Sequence, residues 1–190
     1  MEDAHVLQLK NRKFSDLYLC FCGYARCLPL HSFGPAVRPN YILHYIIKGK
    51  GRFTVGNEEY RLRGGQGFLI EPEVLTFYEA DKEDPWTYVW IGFSGERAGE
   101  YLRDLGLGSG HPVYQCSNGE KLEKIVQTML ENKNYTVANE YLLEGLLYQF
   151  FSVLAENIEI GEGREEKDDN LYIRKAVEYI QNHYSYPVQV

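Results

Sequence analysis

Between residues 41 and 72 the apolar positions come in short bursts separated by glycine, with no long apolar run. Residues 41–47 read Tyr-Ile-Leu-His-Tyr-Ile-Ile, aromatic and β-branched, and Lys48-Gly49-Lys50-Gly51 follows at once, which predicts a strand and then a turn. The pattern repeats through residues 52–55, a Gly56-Asn57 turn, residues 58–62, a second glycine turn at 64–67, and residues 68–70, closed by Glu71-Pro72. Strands this short and this evenly spaced predict a closed all-β unit. An earlier strand is expected over residues 14–24. Past the charged turn at 81–84 and Pro85, residues 86–93 alternate at period two. One face carries Trp86, Tyr88 and Trp90, a large aromatic surface with polar edges. The other carries Thr87, Val89, Ile91 and Phe93 and reads as filling between two sheets.

From Ser94 the period becomes helical. A short helix is expected through Leu105, ending at Gly106, before a glycine-rich connection to Pro112. Ser117 and Glu120 have capping-box spacing, and Leu122, Ile125, Val126, Met129 and Leu130 then recur as one face of an amphipathic helix. The next helix, over residues 137–158, carries a wider stripe: Leu142, Leu143, Leu146, Leu147, Phe150, Phe151, Val153 and Leu154. A stripe that wide needs cover on two sides, by the first helix or the barrel on one and by a second subunit or the rest of the monomer on the other. The expected dimer interface is Leu122, Val126, Met129, Leu143, Leu147 and Phe150. Residues 159–169 are dominated by glycine and charge, which predicts a linker. Ile173, Ala176, Val177 and Ile180 then restore helical spacing, and a helix with no partner before Val190 implies a further domain.

Composition limits the chemistry. With 190 residues, 44% hydrophobic and 25% charged, the chain suits one well-buried domain or a barrel with a helical appendage. No apolar run reaches the ~20 residues of a membrane span, and Glu2 and Asp3 stand where a signal peptide is basic, so a cytoplasmic protein is expected. A formal net charge of −7 makes this part a poor binder of DNA by itself. Cys20, Cys22, Cys27 and Cys116 lack the spacing of a disulfide framework and read as reduced thiols; a zinc site of the first three with His31 lacks the clustered pairs typical of structural zinc. Metal-binding barrels of the cupin type need two histidines two apart on one strand, a carboxylate, and a third histidine after a Pro-x-Gly turn. Here His44 stands alone, and residues 72–77 read Pro-Glu-Val-Leu-Thr-Phe where the third would fall. His44 reads as a hydrogen-bonded core residue, and neither a metal nor another cofactor is expected.

The closing stretch 172–184, Tyr-Ile-Arg-Lys-Ala-Val-Glu-Tyr-Ile-Gln-Asn-His-Tyr, followed by Pro187-Val188, resembles the opening helix of the double helix-turn-helix domain in the arabinose-regulator (AraC) family of transcription factors. Residues 41–45 with Gly49-Lys50-Gly51, and residues 65–72, are similar to that family's cupin-type effector domain; residues 22–38 are similar to its raffinose and multiple-sugar branch. The resemblance implies a mainly β fold with C-terminal helices: a cupin-like double-stranded barrel, or jelly roll, over 1–93 with an N-terminal arm. A helical dimerisation hairpin would follow over 94–158, a linker over 159–169, and the first helix of a DNA-binding domain over 170–190. It implies a sugar effector inside the barrel, stacked on Trp90, with Tyr88 where the arabinose sensor has a histidine, Tyr78 at a sugar-contacting tyrosine, and Arg38 near a sugar-binding arginine. Sugars need flat aromatics edged by donors and acceptors, which Trp86 also offers. With His44, these form the candidate ligand-binding set. The implied protein is a homodimer that meets DNA through its C-terminal domain, switches carbohydrate-utilisation genes, and carries Arg12 and Lys13 on a movable arm over the pocket. The competing reading is a cupin enzyme such as a sugar isomerase or dioxygenase, with Glu71, Glu73 and Glu79 as its acid–base candidates.

Overall fold

A computed structural model of the chain describes residues 3–10 and 13–160. The burst pattern around residue 50 becomes β4 (Tyr41–Lys48), β5 (Lys50–Val55), β6 (Glu58–Arg63) and β7 (Gln66–Ile70). Before them come β1 (Asp3–Gln8), β2 (Tyr18–Arg26) and β3 (Ser32–Ala36). After them come β8 (Thr76–Ala80), β9 (Thr87–Ser94), α1 (Ala98–Asp104), β10 (Val113–Cys116), α2 (Gly119–Glu131), α3 (Val137–Asn157) and β11 (Ile158–Glu159). The large sheet runs β1-β2-β9-β4-β7-β10-β11 and the small one β3-β8-β5-β6. Without the edge additions β1, β10 and β11, two facing four-stranded sheets remain, β2-β9-β4-β7 and β3-β8-β5-β6. That eight-stranded antiparallel arrangement is the jelly roll of a cupin-like barrel.

Two hydrophobic cores share the large sheet. Between the sheets lie Ile46, Phe53, Phe68, Ile70, Tyr78, Trp86 and Tyr88. On the other side of the large sheet, Leu43, Val89, Ile91 and Phe93 pack with Leu122, Val126, Met129, Leu147, Phe150 and Leu154 of the helices. The expected face assignment of residues 86–93 is therefore reversed. The aromatic face fills the barrel, and Val89, Ile91 and Phe93 lie beneath the helices, because those helices cover the sheet's back and need an aliphatic surface.

The same observation corrects the dimer interface. Leu122, Val126, Met129, Leu147 and Phe150 are 0% exposed and Leu143 is 4% exposed, all in this chain's own core. The sheet supplies the second cover for the α3 stripe. Leu142 alone of that stripe is exposed, at 42%, beside Tyr141 and Tyr148 on the outward side of α3.

Other boundaries shift for local reasons. The strand expected over residues 14–24 is β2 and starts at Tyr18, so Phe14 precedes it, and α1 starts at Ala98, after Ser94 has ended β9. The N-cap of α2 is Asn118, with no side-chain cap bond, so Ser117 and Glu120 form no capping box. On α3 the Thr136 side chain accepts from the Asn139 N–H at 3.2 Å. The interval after Ser94 is not all helical, because β10 pairs with β7 and β11 pairs with β10. The first linker residue, Glu159, is thereby a strand residue, and Ile160 packs on the core. The rest of the linker and the 170–190 helix lie outside the described residues.

Close approaches hold β10 and α2 to the sheet. Tyr114 Oη donates to the His44 carbonyl at 2.9 Å, and Tyr45 Oη donates to that of Cys116 at 3.1 Å. The Tyr114 ring lies over Gly67, where a Cβ would collide with its Cζ and Oη and with the His44 carbonyl oxygen.

Glu144 is a buried carboxyl between α3 and β2, 7% exposed; one oxygen accepts from the Leu19 N–H at 3.3 Å and the other has no partner among the described residues. Burial raises its pKa to about 7, opposed by the Leu19 bond and aided by the Asp16 carboxylate. In the unfolded chain the group ionises near its ordinary 4.5, so between 4.5 and 7 the folded state holds a proton that the unfolded state has lost, and stability falls as pH rises. Glu144→Gln keeps an acceptor for Leu19. It is expected to match the parent near pH 4 and to exceed it by roughly 1–3 kcal/mol at pH 8 in urea unfolding. A gap that does not change with pH would show that Glu144 is ionised in the fold.

Candidate functional site

The inner face of the barrel is built by register. On β9 and β4, His44 pairs with Trp90 and Ile46 with Tyr88. On β7, Phe68 pairs with His44. On the small sheet, Tyr78 of β8 lies between Phe33 of β3 and Phe53 of β5. Paired residues point the same way, so Trp90, Tyr88, His44, Phe68 and Tyr78 converge although they span residues 44 to 90 of the chain. Gly23 of β2 stands opposite Trp90, and a Cβ there would collide with the indole ring, which lies flat across the glycine.

His44 is the hub. Its ring stacks on Phe68 at 4.3 Å and 6°, and lies 5.2 Å from Tyr78, 5.3 Å from Tyr88 and 6.2 Å from Trp90. Trp86 forms the floor, 6.0 Å from Tyr88 and 6.3 Å from Tyr78. Burial drops the His44 pKa to about 3, with a smaller push from the Arg38 charge, so the imidazole is neutral at physiological pH. The Tyr78 and Tyr88 rings meet edge to face at 6.2 Å, with the Arg38 charge acting on the Tyr78 phenol and Cys27 on that of Tyr88. Burial pushes both phenols up, which keeps them neutral. Two buried nitrogens, His44 Nδ1 and Trp86 Nε1, have no hydrogen-bond partner among the described residues. Each such group costs about 1–3 kcal/mol while it is unpaired.

All six expected ligand-binding residues thus meet in one place, with Trp86, Tyr88, Tyr78 and His44 buried and Trp90 and Arg38 half-buried. Sequence reading missed Phe33, Phe68 and Cys27. Phe68 was accessible in principle, since it follows the Gly64-Gly65-Gln66-Gly67 turn on an inward-facing position. Phe33 sits on an edge strand that shows no alternation.

The acid–base candidates do not join this cluster. Glu79 lies on the outer face of the small sheet, 3.0 Å from Arg52, which also holds Glu59 at 3.1 Å. A groove of about 730 Å³ crosses that outer face, lined by these groups and by Arg61 and Arg63. Glu73 is exposed in a turn, and Glu71 is half-buried with its carboxyl pushed up by burial. Among the described residues, no three His, Cys, Asp or Glu side chains converge as a metal site would require. None of the four cysteines is in a disulfide, and burial pushes Cys22 up to about 12 and Cys20 to about 11, so neither is a thiolate nucleophile near neutral pH.

The described part of the arm lies elsewhere than over the pocket. β1 pairs along β2 and inserts Leu7 into the helix-side core. Lys13 Nζ is 2.7 Å from Glu140 of α3, and Asp16 accepts from Tyr148 at 2.9 Å. Arg12 is outside the described residues.

A match to the family described as the AraC-like ligand binding domain covers residues 19–151, from β2 into α3. The chain belongs to the AraC-like ligand binding domain family. Three curated relatives extend the match. The Msm operon regulatory protein of Streptococcus mutans is 32% identical over 92% of this chain and 64% of its own length. The raffinose operon transcriptional regulatory protein RafR of Pediococcus pentosaceus is 33% identical over 93% and 65%. The lactose operon transcription activator of Staphylococcus xylosus is 26% identical over 95% and 65%. This AraC-like domain therefore spans just under two thirds of the length of the relatives it matches. No helix among the described residues is long and apolar enough to cross a membrane.

Proposed function

We propose that the chain is the effector-binding and dimerisation part of a cytoplasmic, AraC-type transcription regulator of carbohydrate-utilisation genes, with a sugar as effector and no catalytic role. The observation that carries this reading is the barrel cluster. Half-buried Trp90 and Arg38 stand at the edge of a packed aromatic cluster that includes the neutral phenols Tyr78 and Tyr88, a flat ring with donors beside it that suits the C–H face and hydroxyls of a saccharide. The roles of the relatives in msm, raffinose and lactose operons support it. DNA contact is assigned to the protein beyond the described residues, in keeping with the net charge of −7. Self-association is assigned to the outward side of α3 around Tyr141, Leu142 and Tyr148, which are 59%, 42% and 40% exposed. Light scattering that shows only monomer at high micromolar concentration would remove the dimer from the proposal.

The test is a thermal-shift panel of saccharides and divalent metals. A ligand at ~100 times its dissociation constant adds roughly 2.7 kcal/mol of stability. Trp90→Ala is expected to abolish the sugar-induced shift while the variant still unfolds cooperatively, because Trp90 is only half-buried. Unchanged binding by Trp90→Ala would remove Trp90 from the site, and a shift with metal but no sugar would favour an enzyme.

A further inference from the structure

The groove on the outer face of the small sheet lies across β5 and β6 from the aromatic cluster and shares no lining residue with it. Register sets its charge. In the β5–β6 hairpin Lys50 stands directly opposite Arg63, and Arg52 directly opposite Arg61, so four cations form a square on one face while Phe53 points into the barrel. Like charges directly opposite one another in a sheet repel and weaken the pairing. Lys82 lines the same groove, so five cations face three carboxylates, Glu59, Glu79 and Asp81, in a chain whose formal net charge is −7.

Those carboxylates are already engaged. Glu79 and Glu59 clamp the Arg52 guanidinium at 3.0 and 3.1 Å, and Glu59 stands 3.8 Å from Arg61. The Asp81 oxygen that lies 3.8 Å from Lys50 also accepts from the Glu83 and Asp84 N–H groups at 2.9 and 3.0 Å, which closes the turn after β8. Arg63 and Lys82 have no carboxylate partner among the described residues. Lys50, Arg61, Arg63 and Lys82 therefore bring unspent positive charge to one cavity. Its volume of about 730 Å³ exceeds what a bare ion fills and suits a small molecule. At its rim Leu30 is 51% exposed and has a φ of 60°, a left-handed backbone that leucine rarely adopts, and it adds an apolar side chain to the cationic lining.

A phosphomonoester carries about −1.5 to −2 charge and three acceptor oxygens, and so matches several donors at once. A long polyanion such as DNA would also meet Glu59, Glu79 and Asp81, which favours a compact anion. We propose that this groove binds a small molecule bearing a phosphate group, its oxygens held by Lys50, Arg61 and Arg63 and its remainder lying along the groove. It is a second ligand site, whatever the barrel takes.

The test is calorimetric titration of the whole chain with glucose 6-phosphate, glycerol 3-phosphate and adenosine monophosphate, beside inorganic phosphate, glucuronate, glucose and duplex DNA. At least one phosphomonoester is expected to bind about tenfold or more tightly than inorganic phosphate and glucuronate do. Arg63→Gln is expected to weaken it about tenfold, and Arg63→Lys to weaken it less. The Arg63→Gln thermal midpoint should not fall, because the substitution removes a like-charge pair. Glu59→Gln, which frees Arg61, is expected to tighten binding about threefold. Any glucose signal is expected to be the same in Arg63→Gln as in the parent, which separates this site from the barrel. The site is overturned by no phosphomonoester binding, by equal affinity for phosphomonoesters and inorganic phosphate, by tighter binding of DNA than of all three, or by an affinity that Arg63→Gln leaves unchanged.

Discussion

Gly67→Ala is expected to destabilise the fold by roughly 3 kcal/mol or more, at the upper end for a single added methyl group. The new Cβ would collide with Tyr114 and with the His44 carbonyl oxygen. That oxygen cannot retreat, because His44 is laddered to β7 on one side and to β9 on the other. If Tyr114 moves instead, its 2.9 Å hydrogen bond to the same oxygen is lost in a buried setting, and β10 loses its seat on β7. Gly145→Ala is the control: it lies on the exposed side of α3 with open space around it, so the same methyl group should add up to about 1 kcal/mol of stability. Urea midpoints of the two variants decide the matter. A Gly67→Ala loss below about 0.5 kcal/mol would mean that the β4–β7–β10 contact yields to an added methyl group.

Acid should weaken the protein through His44. The folded imidazole has a pKa of about 3 and the unfolded one about 6.5, so His44 contributes fully above 6.5 and the contribution is lost as pH falls toward 3. Lowering the pH from 6.5 to 4.5 is expected to cost about 2–3 kcal/mol through this group. His44→Phe, which preserves a ring against Phe68, should remove that slope whatever its own stability. Glu144 acts with the opposite sign over pH 4.5–7, gaining stability on acidification. The parent profile is therefore flatter than that of either variant: Glu144→Gln steepens the acid loss, and His44→Phe uncovers an acid gain. Parallel profiles for parent and His44→Phe would show that the imidazole takes up a proton in the fold.

The strands around the glycine turns were legible because short apolar runs stop at glycine, and β4 and β7, covered on both faces, show as continuous apolar runs rather than alternation. β1 exposes all but one of its six positions, and β10 is four residues long. Both exist because the large sheet has free edges to pair with, a non-local fact with no local signature. The helical stripes were equally plain, and what they lacked was the name of the partner. Leu143, Leu147 and Phe150 state that they must be covered, and only the folded chain shows that its own sheet covers them. In the site, Trp86, Tyr88 and Trp90 announced themselves by sharing one strand face. Phe33 is joined to them only through its cross-strand pairing with Tyr78, so it became a site residue once the register was known.

Strand β9 belongs to both cores at once. Tyr88 and Trp90 line the barrel, while Val89 and Ile91, the residues between and after them, touch the helix layer. The candidate site and the helix-bearing surface are thus separated by a single peptide unit rather than by a hinge or a chain of intermediaries. Whatever tilts or slides β9 on one side is delivered to α2 and α3 on the other in the same movement, so the sheet is itself the lever.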